Sequence, residues 1–322
     1  MARIVSLGSA LCDIYLIDHD DLQPVEVGGS SILGRILVGS KVDIDKLKYE
    51  VGGGGLNSAI TFSRYGHEAI VMANIGHDAA GEEIMRTLDR EDIDNTYMNY
   101  TPNRTTGTSV ILLDSKRGER TILTYRGASE KFNNFDPEDL ELLQPDWLYI
   151  TTLRGDFETL EMFIDKAQNM GAKIMFNPGE KELADSKKLL KILGKIDVLL
   201  VNKLEASKLV PGNTLAELIY RLNNYTNITI ITDGPMGGIA GNIALKETYR
   251  FGIYEDVKIR DATGAGDAFG SGFLAAYASG KSFRSSLVYA SANSTAAVSK
   301  IGASTGLLTG RENLHPMPIQ KI

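Results

Sequence analysis

A three-layer α/β sandwich, with a mostly parallel central sheet and a small β-sheet lid, is the fold this sequence predicts. Three observations carry it. Short apolar strand-like runs recur along the chain, helix-length amphipathic segments separate them, and two stretches break that alternation. The runs are Arg3-Leu7, Ile70-Asn74, Trp147-Thr151, Lys173-Asn177, Val198-Asn202 and Ile228-Thr232. The segments between them, read as crossover helices, are Asn57-Tyr65, Gly81-Glu91, Phe157-Met170, Ser186-Leu193, Thr214-Tyr225 and Ala268-Ser279. Glycines such as Gly66 and Gly171 close several of these helices. The two breaks cover about 13–50 and 104–126, and in the second Thr108 to Leu112 and Arg120 to Thr124 alternate with period two. They read as antiparallel strands of a lid inserted in one domain spanning 1–322. The lid leaves and returns at the C-terminal strand ends, where doubly wound sheets place ligands.

Composition narrows the function. With 322 residues, 43% of them hydrophobic, the chain is long enough to bury a large core in one domain. A net charge of −7 with no sustained Lys/Arg cluster argues against nucleic acid or an anionic membrane as partner. The single cysteine, Cys12, has no internal disulfide partner, and no leader-like or membrane-length apolar run is present, so the expected location is cytoplasmic. His19, His67, His77 and His315 are scattered without metal-ligand spacing.

The most informative stretch runs Asp261-Ala262-Thr263-Gly264-Ala265-Gly266-Asp267-Ala268-Phe269-Gly270-Ser271-Gly272. Gly264, Ala265 and Gly266 let the main chain approach a ligand, and a helix read from Ala268 onward adds unpaired amides and a positive dipole end. An anion belongs there. Asp267 is a poor neighbour for a permanently bound phosphate but well placed to take a proton from a hydroxyl attacking one. The plainer alternative is a Gly-rich turn with Asp as helix cap. The spacing is not G-x-G-x-x-G, and no G-x-x-x-x-G-K-[ST] occurs in the chain.

That segment resembles the C-terminal signature of the ribokinase-like, or PfkB, carbohydrate kinases, with Ala262 standing where Thr, Ser, Pro or Val is usual. Their N-terminal signature is similar to Gly52-Gly53-Gly54-Gly55-Leu56-Asn57-Ser58-Ala59, continued to Gly66 and Gly76. Asn202-Lys203-Leu204-Glu205 and Thr232-Asp233-Gly234-Pro235-Met236-Gly237 resemble further family elements, so the likeness spans nearly the whole chain.

The resemblance implies an ATP-dependent sugar kinase with Asp267 as general base and the amides of Gly264, Ala265 and Gly266 as anion hole. Asp13 resembles the family's acceptor of two sugar hydroxyls, with Gly53, Gly54 and Asn57 on the substrate and Arg126 and Arg154 reaching a substrate phosphate if one exists. Asn202 and Glu205 are implied to organise Mg²⁺ through water. Read from the residues alone, they form a helix-capping box. Similarly, Gly52 to Gly55 read as a loop, Asn57 as a helix cap and the arginines as surface residues. Thr232, Gly234, Gly237 and Asn293 are implied on the nucleotide side. Asp261, Thr263, Ala297 and Gly302 resemble positions that ring K⁺, mostly through carbonyls. Gly54 stands where ribokinases proper carry Lys, and Leu153 lies near their acidic sugar contact, which makes ribose less expected. Fructose, other ketoses, sugar acids and nucleosides stay open. Tyr15, Leu16 and Ile32 are lid residues that a nucleoside base would need for stacking. A non-catalytic sugar-binding protein on the same fold is the remaining alternative. The family also suggests a homodimer through the lid.

Overall fold

The computed structural model describes residues 1–17, 23–27, 31–35, 38–44, 46–114 and 119–322, with only the backbone described at 23–27, 31–35 and 119. His19, parts of both lid stretches and the side chain of Ile32 therefore lie outside the described residues. In chain order the strands are β1 Arg3–Leu7, β2 Leu11–Ile17, β3 Gln23–Val27, β4 Ser31–Arg35, β5 Lys46–Gly52, β6 Glu68–Ile75, β7 Met98–Tyr100 and β8 Gly107–Asp114. They continue as β9 Glu119–Tyr125, β10 Trp147–Ile150, β11 Lys173–Phe176, β12 Val198–Asn202, β13 Ile228–Thr232, β14 Gly238–Asn242, β15 Glu247–Phe251 and β16 Ile319–Lys321. The helices are α1 Gly54–Tyr65, α2 Ala79–Arg90, α3 Asp139–Leu143, α4 Phe157–Met170, α5 Glu180–Ala184, α6 Ser186–Ile192, α7 Lys203–Leu209, α8 Leu215–Leu222, α9 Ala265–Ala278 and α10 Phe283–Val298.

The central sheet has strand order β16-β15-β14-β13-β12-β11-β10-β1-β6-β7, parallel from β13 to β7 and antiparallel from β13 to β16. Consecutive strand residues feed opposite cores: Ile4, Tyr149 and Leu200 face Leu56, Phe273 and Leu287, while Val5, Ile150 and Val201 face Leu160, Phe163 and Leu218. These two buried layers are the physical content of the three-layer sandwich. The antiparallel extension β14 to β16 was not expected, because Gly238-Ile239-Ala240-Gly241-Asn242 carries little strand propensity and is ordered by pairing with β13.

The lid sheet has order β5-β2-β8-β9. One expectation is corrected here: β2 pairs with β8 in parallel, and only β2–β5 and β8–β9 are antiparallel. The cause is that β1 and β7 belong to the same parallel sheet, so β2 and β8, which follow them, leave it in the same direction. Alternation sorts the lid's side chains onto two faces. Asp13, Ser109 and Thr124 are in register on the inner face, with Ile111 and Ile122 beside them. Tyr49, Ile14, Val110 and Leu123 are in register on the outer face, with Leu47, Leu16, Leu112 and Tyr125 on neighbouring rungs. The lid is also fastened to the core. Lys48 donates to the Ile301 carbonyl at 2.8 Å, Thr305 donates to Glu50 at 3.2 Å, and the Arg120 guanidinium lies 3.8 Å from Asp261.

Candidate active site

A cavity of ≈ 310 Å³ opens at the C-terminal ends of β1, β10 and β11, between the central sheet and the lid's inner face. Asp13, Gly53, Gly54, Asn57, Arg126, Thr263, Gly264 and Asp267 all line it. Sequence reasoning missed Ser109 and Thr124 on the lid, and Thr152 and Asn177 just beyond β10 and β11. The signal for the last two was available, since polar residues directly after the C-terminal ends of parallel strands face the ligand side.

Two glycine-rich turns are brought together here. Helix α1 begins at Gly54, earlier than the expected Asn57, with Gly53 as its cap at φ 100°. A Cβ on Gly53 would sit 2.5 Å from the Ser9 carbonyl oxygen, so only glycine fits this turn. Asn57 therefore lies inside the helix instead of capping it. Its Nδ2 donates to Asp267 Oδ2 at 3.0 Å, while its buried Oδ1 has no hydrogen-bond partner among the described residues. One side chain thus orients the Asp267 carboxyl and keeps one acceptor unused. Helix α9 likewise starts at Ala265, not Ala268, and its cap is Gly264 at φ 74°, not Asp267. That places Ala265, Gly266 and Asp267 in the first turn, where amides lack intrahelical acceptors. Asp261 fixes the approach to this turn, accepting from Thr263 N at 2.9 Å, Thr263 Oγ1 at 2.6 Å and Gly302 N at 3.2 Å.

Electrostatics at the site follow from burial. Desolvation raises the Asp267 carboxyl above its ordinary range, with the Asn57 hydrogen bond opposing it. The result is a stronger base than a free aspartate. Asp13 is 4% exposed, and its pKa is pushed up to about 6 by burial first, then by Asp261, Asp267 and Glu50, against a lowering hydrogen bond from Ser109. Between about pH 4 and 6 the folded chain holds a proton on Asp13 that the unfolded chain releases, so this contribution to stability is lost as pH rises through about 6. Asp13→Asn should consequently melt above wild type at pH ~8, by up to roughly 3 kcal/mol, with the gap closing below pH ~4. Paired melting curves across pH check this, and a constant gap would refute it.

The remaining expected residues do not line the cavity. Asn202 and Glu205 form a reciprocal capping box, with Asn202 Oδ1 accepting from Glu205 N at 2.9 Å and Glu205 Oε2 from Asn202 N at 2.8 Å. Thr232 is the strand partner of Asn202, and Gly234 and Gly237 follow in a turn. These groups continue the row of strand ends from β11 to β12 and β13. Asn293 is fully buried, donating to Ala268 O at 2.8 Å and accepting from Leu308 N at 2.8 Å. Its amide is used up holding α9, α10 and the 302–308 segment together. Arg154 is not among the described lining residues, and its Nε lies 3.9 Å from Glu130. The Leu153 side chain is packed in the core, Tyr15 is in the lid's own core, and Leu16 is on its outer face. Ala297 and Gly302 lie near Asp261, but the Ala297 carbonyl accepts from Lys300, and Arg120 flanks Asp261.

A doubly wound sheet with a lidded cavity, a helix N-terminus aimed into it and a desolvated carboxylate beside that terminus defines a small-molecule phosphotransferase acting on a hydroxyl. The sequence matches the pfkB family carbohydrate kinase profile over residues 1–309. It is 25% identical over 273 residues to a ribokinase of Haemophilus influenzae, covering 82% of this chain and 86% of that one. The fold is similar to Arabidopsis thaliana ribokinase complexed with ribose and ATP (TM-score 0.79, 21% identity, 96% of each chain). It is also similar to the Methanocaldococcus jannaschii nucleoside kinase (TM-score 0.73, 20% identity, 96% and 95%). The chain belongs to the pfkB family of carbohydrate kinases. Among the described residues no helix is long and apolar enough to cross a membrane.

Proposed function

We propose that this protein is a cytoplasmic ATP-dependent carbohydrate kinase in which Asp267 takes the proton of a sugar hydroxyl as that oxygen attacks the γ-phosphorus of ATP. The O–P bond to the sugar forms, the bond to the β-phosphate oxygen breaks, and ADP leaves. The observation carrying the reading is the Asn57–Asp267 hydrogen bond at 3.0 Å, which joins residues 210 positions apart inside one cavity. The amides of Gly264, Ala265 and Gly266 receive the phosphoryl oxygens, and Asp13 and Asn57 Oδ1 receive sugar hydroxyls. The nucleotide lies along the ends of β12 and β13, by Thr232, Gly234 and Gly237.

Mg²⁺, when bound with ATP, neutralises charge on the phosphates. Asn202 and Glu205 would suit a hydrated ion held mainly by the nucleotide, contacted through water, since Asn202 Oδ1 and Glu205 Oε2 already accept backbone hydrogen bonds. K⁺ fits less well. Asp261 already accepts three hydrogen bonds and has Arg120 beside it, so no role for K⁺ is assigned. Among the described lining residues Leu11, Ile111, Ile122, Pro178 and Ala303 are apolar and none is aromatic, which favours a sugar over a stacked nucleoside base.

The test is ADP release from Mg·ATP over ketoses, aldoses, sugar acids, sugar phosphates and nucleosides. Turnover of one sugar class above the Asp267→Asn background is expected. Turnover of nucleosides alone would replace this reading, and binding of sugars without ADP release would favour a non-catalytic protein.

The apolar outer face of the lid fits a second copy of the chain. Leu47 is 53%, Tyr49 64%, Leu123 58% and Tyr125 56% exposed, four large apolar side chains on one face of the sheet. Sedimentation should show a dimer that Tyr49→Lys with Leu123→Lys converts to monomer. A monomeric wild type would remove the proposal.

A further inference from the structure

The cavity is electrically polarised. The charged groups that act most on Asp13 are carboxylates, Asp261, Asp267 and Glu50, and Asp267 lines the cavity with it. Arg126 lines the same cavity, and the charged groups acting on it are Arg154 and Glu130. Its guanidinium is half-buried and makes no ion pair or hydrogen bond with the described residues. Glu130 is already shared, with Lys181 at 3.0 Å and Arg154 Nε at 3.9 Å, so three cations converge on it. Arg154 Nε is itself buried without a hydrogen-bond partner. The next carboxylate, Glu182, is fully buried and saturated by Thr152 Oγ1, Leu153 N, Gly155 N and Gly179 N at 2.8 to 3.0 Å. Burial first and Arg154 second hold the Arg126 pKa below its ordinary value, the response of a cation short of an anion.

A neutral sugar would leave this guanidinium desolvated and uncompensated, which low-dielectric surroundings penalise. An anion would satisfy it in bidentate geometry, with Thr152 and Thr124 hydroxyls on the same lining. Resting on the kinase reading above, we propose that the substrate is an anionic sugar, with its accepting hydroxyls at the Asp13–Asp267 end and a carboxylate or phosphate held by Arg126 at the other.

The experiment compares D-fructose, fructose 6-phosphate, D-gluconate and inosine in two readouts: thermal stabilisation without ATP, and kcat and KM with Mg·ATP. The expected result is that gluconate or fructose 6-phosphate binds at least ~10-fold more tightly than fructose, with the preference shrinking between ~0.05 and ~0.5 M salt. Which of the two does so separates carboxylate from phosphate. Arg126→Gln should reduce the anionic-to-neutral ratio by roughly 10- to 100-fold, mostly through KM, and Arg126→Lys should restore part of it. Fructose or inosine binding as well as both anionic sugars, or an unchanged ratio in folded Arg126→Gln, overturns the proposal. If an anionic sugar binds in an Arg126-dependent way but no probe is phosphorylated, the kinase reading fails and this one stands. If fructose is phosphorylated in preference to both anions, the reverse holds.

Discussion

Asp267→Asn should lower kcat by roughly 10²–10⁴ with little change in KM, because on the proposed mechanism it removes proton acceptance from the attacking hydroxyl and almost nothing else. Asparagine has the same shape, and its Oδ1 accepts the Asn57 Nδ2 donor that Asp267 Oδ2 now receives at 3.0 Å. The variant also loses a carboxylate whose charged form is disfavoured by burial, so its melting temperature should match or exceed wild type at neutral pH. Steady-state kinetics and a melting curve on the same preparation decide the matter. Activity kept within a factor of about ten would mean that another group takes the proton.

A second large effect is expected at Gly264. Its φ of 74° is a left-handed conformation, and a Cβ there would lie 2.6 Å from the Cβ of Ala303. Gly264→Val meets both obstacles, conformational strain of about 1–2 kcal/mol and overpacking of about 1–3 kcal/mol. Displacing the first turn of α9 also misaims the amides of the proposed anion hole, where one lost donor costs about 10²–10³ in rate. Gly266→Ala is the informative companion. A Cβ at Gly266 would meet nothing within 4 Å, so the substitution should leave the fold intact or slightly firmer. It nonetheless places a methyl where the phosphates are to lie, and activity should fall without loss of stability. Should Gly264→Val melt like wild type and turn over normally, the hole is not where we place it.

Much of the fold was legible because burial leaves a periodic record. Val198–Asn202 and Ile228–Thr232 end where their apolar runs end, and Phe157–Met170 lies between an Asp156 cap and Gly171. The starts of α1 and α9 were read late for one shared reason. Gly54-Gly55 and Gly266 have poor helix propensity, yet tertiary packing of the following turns carries the helix back through them. The site's two motifs were legible as sequence, but their meeting was not, since no local pattern reports a contact between Asn57 and Asp267. The Asn202–Glu205 pair shows the opposite limit. Its capping box is present in the fold, and a residue pair can cap a helix and face a ligand without the sequence distinguishing the two. The resemblance implies Asn293 on the nucleotide side, and in the fold both ends of its amide are occupied by backbone.

The three hydrogen bonds on Asp261 bear on when the cost of ordering is met. By tying Thr263 to Gly302, this carboxylate anchors the residue before Gly264 to the segment that begins at Gly302 before any ligand arrives. The conformational entropy of shaping the phosphate cradle is therefore settled as the polypeptide folds. A nucleotide arriving at the proposed cradle has less ordering to impose on this turn, so more of its binding energy can act on the lid and on the reacting groups.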